Sequence, residues 1–249
     1  MLTAGVDLAA ELKGTALAVI EWGEKATLLE LTVDVADAHI TDAASRVEKL
    51  GIDCALGWPV EFVDFVRANA GMHVEPAEFD GGMEWRRRLA YRETDRSVRE
   101  HTGRWPLSVS TDRLGLTAMR CAGLLSRLQA AGIPIDRSGA GLVVEVYPGA
   151  SLRQWGFITQ GYRASADIRQ RLLADLEAAA PWFSAGPHRQ VMIDSCDAFD
   201  AVIAAFSSRA AALGQYLKPT AEQLERARVE GWIAVPNEPI ERLVASRPN

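Results

Sequence analysis

Three apolar runs at the start of the chain are joined by short, turn-like gaps, and that spacing constrains the fold more than any other feature. Leu2 to Ala9 and Thr15 to Trp22 are separated by a segment ending in Lys13-Gly14, and Gly23-Glu24-Lys25 leads from the second run into a third, Ala26 to Val35. Short connections join antiparallel strands, because a parallel partner needs a crossover of about a dozen residues or more. An antiparallel meander is therefore expected. Thr41-Asp42-Ala43 then opens a helix that carries Ser45, Val47 and Leu50, and Ile52 to Gly57 reads as a fourth strand stopped by Trp58-Pro59. A strand reached through a helix usually runs parallel to an earlier one.

Further along, Glu61 to Ala70 reads as a short helix and residues 72–111 as a polar, arginine-rich insertion or lid. Leu114 to Ala131 is an amphipathic helix ended by Gly132-Ile133-Pro134, and Leu142 to Pro148 is a buried fifth strand whose end is marked by Tyr147 and Pro148. Helices over Ala166 to Ala180, Asp194 to Leu213 and Thr220 to Arg228 precede a strand-like piece, Gly231 to Pro236. The 249 residues, with 48% hydrophobic content, are ample for one substantial core. The expectation is a single α/β domain over 1–249, with a mixed sheet of three-strand antiparallel meander plus parallel strands, flanked by helices.

Composition narrows the function. No apolar stretch approaches the roughly 20 residues of a membrane span, and the N-terminus has no charged signal region, so a cytoplasmic protein without membrane contact is expected. Cys54, Cys121 and Cys196 are widely spaced and fit reduced core thiols; the four histidines show no zinc-binding spacing. Any metal would be held by oxygen. A net charge of −6 gives no bulk attraction to nucleic acid. Neither a phosphate-binding P-loop, nor a dinucleotide fingerprint, nor a Gly-x-Ser-x-Gly elbow is present.

Five carboxylates stand out: Asp7, Asp53 and Glu145 on or beside apolar strands, and Asp197 and Asp200 three residues apart on one side of an otherwise apolar helix. Asp53 and Glu145 alternate with apolar neighbours as solvent-facing strand positions do, and Asp197 could simply favour a helix start. Asp200 lies beyond the first turn, where the helix dipole gives it little, so it asks for a partner. A second feature is arginine-rich: if Glu84 to Glu100 is one helix, Arg88, Arg92, Arg96 and Arg99 line one face that grips phosphate, or pairs with the neighbouring Glu84, Glu93, Asp95 and Glu100. Trp85, Tyr91 and Trp105 flank it and could stack on bases.

The element order is the one the ribonuclease H-like fold uses. Gly5-Val6-Asp7-Leu8-Ala9, Ile52 to Pro59, Arg92-Glu93-Thr94-Asp95, Glu145-Val146-Tyr147-Pro148, Asp197 to Ala201 and Glu230 to Pro236 resemble, in order, the DUF429 family of predicted nucleases with that fold. The resemblance implies a phosphodiesterase acting on nucleic acid or a nucleotide phosphoester through Mg²⁺ or Mn²⁺. Two such ions can activate water and stabilise the leaving oxygen, and Mg²⁺ suits an open cluster of few carboxylates. Asp7 would bridge the ions, Asp53 or Glu145 would hold one, and Asp197 or Asp200 the other; paired acids on the last helix also resemble the Holliday-junction resolvase branch of the fold. Matching the family pattern singles out Arg92, Thr94 and Asp95, with Arg96 beside them, for substrate binding. The alternatives are a non-catalytic binding or regulatory protein that keeps the acidic cleft, which the net charge favours, and a phosphotransferase, for which the chain lacks glycine-rich phosphate loops.

Overall fold

A computed structural model describes residues 1–71 and 81–244. The first three strands, β1 (Leu2–Asp7), β2 (Ala16–Trp22) and β3 (Ala26–Val33), form the expected antiparallel meander. After helix α1 (Asp37–Arg46), β4 (Lys49–Asp53) returns parallel to β1, and β5 (Val143–Glu145) adds in parallel to β4. A two-residue strand, β6 (Phe183–Ser184), was not expected; it closes the other edge, giving the order β5-β4-β1-β2-β3-β6.

Helices cover both faces, as a sheet apolar on both sides requires. One face packs against α1 and α5 (Gly115–Ala130) through Ala4, Val6, Ile40, Ile52, Leu124 and Leu128. The other carries α9 (Cys196–Ala212), which is buried nearly all round, with α6 (Pro148–Gln154), α7 (Ala166–Ala179) and α8 (Arg189–Asp194) packed outside it. A helix apolar all round belongs in a core, and Phe206 of α9 sits among Trp22, Trp155, Trp182 and Phe183.

Several sequence expectations shift. The fourth strand ends at Asp53 rather than Gly57, because the Leu56 N–H bonds the Glu145 carboxylate (3.0 Å) instead of a neighbouring strand; Ala55 and Leu56 are apolar because they are buried. The helix expected over Asp194 to Leu213 breaks at Ser195, whose Oγ accepts from Ala198 N and caps α9. Tyr147-Pro148 ends β5 and also begins α6, with proline in its first turn. Helix α10 (Leu224–Glu230) starts four residues later than expected, and the piece after it bridges β5 in parallel through Ile233.

The expected continuous helix over Glu84 to Glu100 is two: α3 (Gly82–Ala90) and α4 (Glu93–Thr102), separated at Tyr91-Arg92. The Asp95 carboxylate accepts from Arg92 N–H (2.8 Å) and starts α4 afresh, so Arg88 on α3 does not share one helix face with Arg96 and Arg99 on α4. Of the presumed insertion, 72–80 lie outside the described residues. Helix α4 is no loose lid, since Thr94, Asp95 and Val98 are buried and Val98 packs on Ile233 and Val235. Short of α2 (Val60–Ala70), the chain between β4 and α2 is fixed by Glu230, whose carboxylate accepts from Val60 N at 2.8 Å. Among the described residues no helix is long and apolar enough to cross a membrane.

Candidate functional site

The site forms where β1 and β4 end and α9 begins. Asp7 and Asp53 are register partners on adjacent parallel strands, so their side chains leave the same face of the sheet. Two residues earlier on each strand stands a glycine, and both glycines face α9. A Cβ at Gly5 would fall on the backbone of Ala201 and Ala205, and one at Gly51 would fall on Ser208 Oγ with Ala204 O only 3.0 Å away. Thr3 Oγ1 donates to Ala205 O (3.0 Å) and Ser208 Oγ to Ala4 O (2.8 Å), which ties α9 to β1, and the close approach of Gly5 to Ala201 sets the two antiparallel. The strands therefore point Asp7 and Asp53 at the first turns of α9, where Asp197 and Asp200 stand. The loop after Asp7 is held by Arg120 of α5, which donates to Ala9 O (2.9 Å) and Thr15 Oγ1 (2.6 Å).

These four acids, with Glu145, line a cavity of about 420 Å³. Its other walls include Leu8, Pro106, Leu107, Leu114, Val146 and Ile233. Neither the Asp7 nor the Asp53 carboxylate has a hydrogen-bond or ion-pair partner among the described residues. Burial pushes the Asp7 carboxyl well above its usual range, with Asp53, Asp200 and Asp197 adding to the rise against Arg163. Asp53 is pushed up to about 8, first by burial and then by Asp200. Asp200, 2% exposed, reaches about 6: burial raises it, while Arg163, the Tyr162 hydroxyl and the Cys196 thiol pull the other way. Asp197, half-buried, is raised by burial and by Asp34.

The cavity's cations are two arginines. Arg92, 2% exposed, has all five N–H groups committed: Nε and Nη2 to Asp95 (3.2 and 2.9 Å), Nη2 and Nη1 to Glu145 (2.7 and 2.8 Å), and Nη1 to Glu230 O (3.2 Å). The two carboxylates outweigh burial and hold Arg92 firmly charged. Glu145 thus reaches the cavity wall with both oxygens already bonded. Thr94 and Asp95, assigned to substrate on sequence, are buried away from the cavity: Thr94 Oγ1 accepts from Ile233 N (2.8 Å) and Asp95 serves Arg92. Arg96 pairs with Glu93 (3.1 Å), also outside it.

Arg163 escaped the sequence reading. It lies in the polar segment before α7, with nothing to mark it except the tyrosine beside it. Its Nε donates to the Tyr162 hydroxyl (3.2 Å), its Nη2 is 3.4 Å from Asp200 Oδ2, and its side chain is 54% exposed. Tyr162 in turn donates to Asp200 Oδ1 (2.9 Å). Buried Arg169 holds this segment against the start of α9, donating to Tyr162 O (2.8 Å), Ile193 O (2.8 Å) and Asp194 O (3.0 Å).

As placed, no three carboxylate, thiol or imidazole groups among the described residues form a ready-made ligand set. The donors nonetheless suit a hard divalent cation: Asp7 and Asp53 have no hydrogen-bond partner among the described residues, and four acids face one half-exposed arginine, a deficit of positive charge that hydrated Mg²⁺ or Mn²⁺ can fill with few protein ligands. The family described as "Protein of unknown function (DUF429)" matches residues 5–224. The chain belongs to the DUF429 family. In this DUF429 protein the matched stretch carries every residue of the acid cluster and Arg163. Comparison with curated proteins gave no match, and comparison with solved structures gave none.

Proposed function

We propose that this DUF429 protein is a divalent-metal-dependent phosphodiesterase whose substrate is nucleic acid or a related phosphoester. The observation that carries the reading is the pairing of Asp7 and Asp53, side by side on adjacent strands, with carboxylates that have no partner among the described residues and face the acids of α9. Asp7 and Asp53 would hold Mg²⁺ or Mn²⁺, and half-buried Asp197 would add negative charge at the edge of the cluster. When bound, the ion supplies activation of a water molecule and stabilisation of charge on the leaving oxygen. Asp200, pushed up to about 6, is suited to accept the water's proton near neutral pH, and Tyr162 fixes the orientation of its carboxylate. The water oxygen bonds to phosphorus, the bond to the leaving oxygen breaks, and that oxygen takes up a proton. The element order and the acid placement resemble those of ribonuclease H-like nucleases, which supports the same reading.

A second reading, a non-catalytic protein that uses the cleft for binding, is favoured by Arg163, which already offsets part of the acidic charge, and by the net charge of −6. Mn²⁺ binding followed by paramagnetic relaxation, together with hydrolysis of bis(p-nitrophenyl) phosphate and of labelled oligonucleotides, separates the two. Saturable Mn²⁺ binding and turnover, both lost in Asp7→Asn and Asp53→Asn variants that remain folded, are expected. Binding without turnover of any of these substrates would favour the second reading, and absence of Mn²⁺ binding would remove the first.

A further inference from the structure

We propose that Arg163 is the residue that grips the substrate phosphate, and that the substrate is a phosphodiester whose organic group seated in the cavity is mononucleotide-sized or smaller. The inference rests on the phosphoester reading and names the residue and the substrate class within it. Of the two guanidinium groups at the cavity, Arg92 has no N–H left to give, whereas Arg163 is half exposed and loosely engaged, 3.4 Å from Asp200 Oδ2. Arginine's planar fork matches phosphate oxygens. The backbone beneath it does not wander, because Arg169 and the turn at Gly161 fix residues 161–165. Only the Arg163 side chain needs to swing.

The cavity lining is mixed: the acids and Arg163 share it with Pro106, Leu107, Leu114 and Ile233. A volume of about 420 Å³ lies toward the small end of the range for compact organic ligands. A phosphate gripped by Arg163 leaves apolar lining for a flat or apolar organic group of that size.

In the free protein Arg163 serves Asp200 as a counter-ion, so it competes with a divalent cation for the same negative charge and is drawn off Asp200 when phosphate arrives. Removing it therefore has opposite effects on the two ligands. The test is calorimetric titration of Mn²⁺ alone, and of phenyl phosphate and inorganic phosphate in saturating Mg²⁺, into wild type, Arg163→Gln and Arg163→Lys, each confirmed folded by thermal melting. In Arg163→Gln, Mn²⁺ is expected to bind about threefold tighter or more, and phenyl phosphate about tenfold weaker or more, as loss of a charge-assisted hydrogen bond implies. Arg163→Lys keeps the competing charge, so its Mn²⁺ affinity stays near wild type while phenyl phosphate binding recovers in part. In wild type, phenyl phosphate should bind tighter than inorganic phosphate.

Weakening of both ligands in Arg163→Gln would make Arg163 a structural support and overturn the proposal, as would unchanged phenyl phosphate affinity. Equal affinity for the two phosphates would overturn the assigned organic group. If wild type binds no Mn²⁺ yet binds phenyl phosphate through Arg163, the metal-dependent reading fails while the phosphate grip stands; binding of neither ligand removes both.

Discussion

Two groups of acids meet at one cavity and differ in how their charge is met. In the Arg92 network every carboxylate oxygen is matched: Asp95 Oδ1 and Oδ2 and Glu145 Oε1 and Oε2 all accept from Arg92, and Glu145 Oε2 also accepts from Leu56 N. Glu230 beside it accepts from Val60 N, Glu93 N and Arg226 Nε, each at 2.8 Å. At the ends of β1, β4 and α9, by contrast, Asp7 and Asp53 meet no donor among the described residues, and Asp200 meets a hydroxyl, a thiol and one half-exposed arginine. Matched buried charge ties elements together, here α2, α4, β5 and α10. Unmatched buried charge destabilises the fold unless something outside the chain completes it.

The largest effect that could break this contrast lies in the network. Arg92→Met strands two buried carboxylates, and chemical denaturation should show a loss of about 3–5 kcal/mol; a loss below about 1 kcal/mol would mean that the network does not bear on stability as its geometry suggests. Next comes Gly5→Ala, which drives a methyl group into the backbone of α9 and should lower stability by about 1–3 kcal/mol or more. Because it pushes α9 off the strands, it should also weaken Mn²⁺ binding; wild-type affinity in a destabilised variant would separate the packing from the site. Smaller and opposite in sign, Asp53→Asn removes a carboxyl whose ionised form the folded site disfavours, first by burial and then by Asp200, and should raise the melting temperature of the metal-free protein by about 2–4 °C while abolishing Mn²⁺ binding. A substitution that stabilises as it disarms is the signature of unmatched charge.

The strands and their pairing were legible because hairpin spacing and apolar runs are local signals, and Asp7 and Asp200 stood out against apolar neighbours. What escaped depends on contacts between distant segments. Arg92 and Glu145 are 53 residues apart, so their pairing left no local trace, and both looked like candidates for ligand contact. The break between α3 and α4 rests on Asp95 bonding back to an arginine N–H, which resembles no usual cap in sequence. Ala55 and Leu56 imitate a strand because burial alone, whatever the backbone does, selects apolar residues. Arg163 was hidden for the converse reason: a polar loop next to an acidic site reads as any exposed loop until the fold brings Asp200 to it.

The subtlest consequence of unmatched charge is the direction in which stability changes with pH. Asp53 is pushed up to about 8 and Asp200 to about 6, above the usual range of about 4 that an unfolded aspartate keeps. Between those values the folded chain binds more protons than the unfolded one, so stability falls as pH rises. The metal-free melting temperature should therefore decline from about pH 5 to about pH 8, with the Asp200 share spent by about pH 6 and the Asp53 share by about pH 8. Asp53→Asn should remove one proton's share of that slope across the whole range, with the largest proportional effect above about pH 6, where Asp200 contributes little. Millimolar Mn²⁺ should flatten all of it, since a cation bound to the deprotonated acids stabilises the folded state most where they are charged. A wild-type melting temperature that rises or stays level from pH 5 to 8 without metal would mean that the four acids are already neutralised within the chain, and the distinction between the two regions would then be lost.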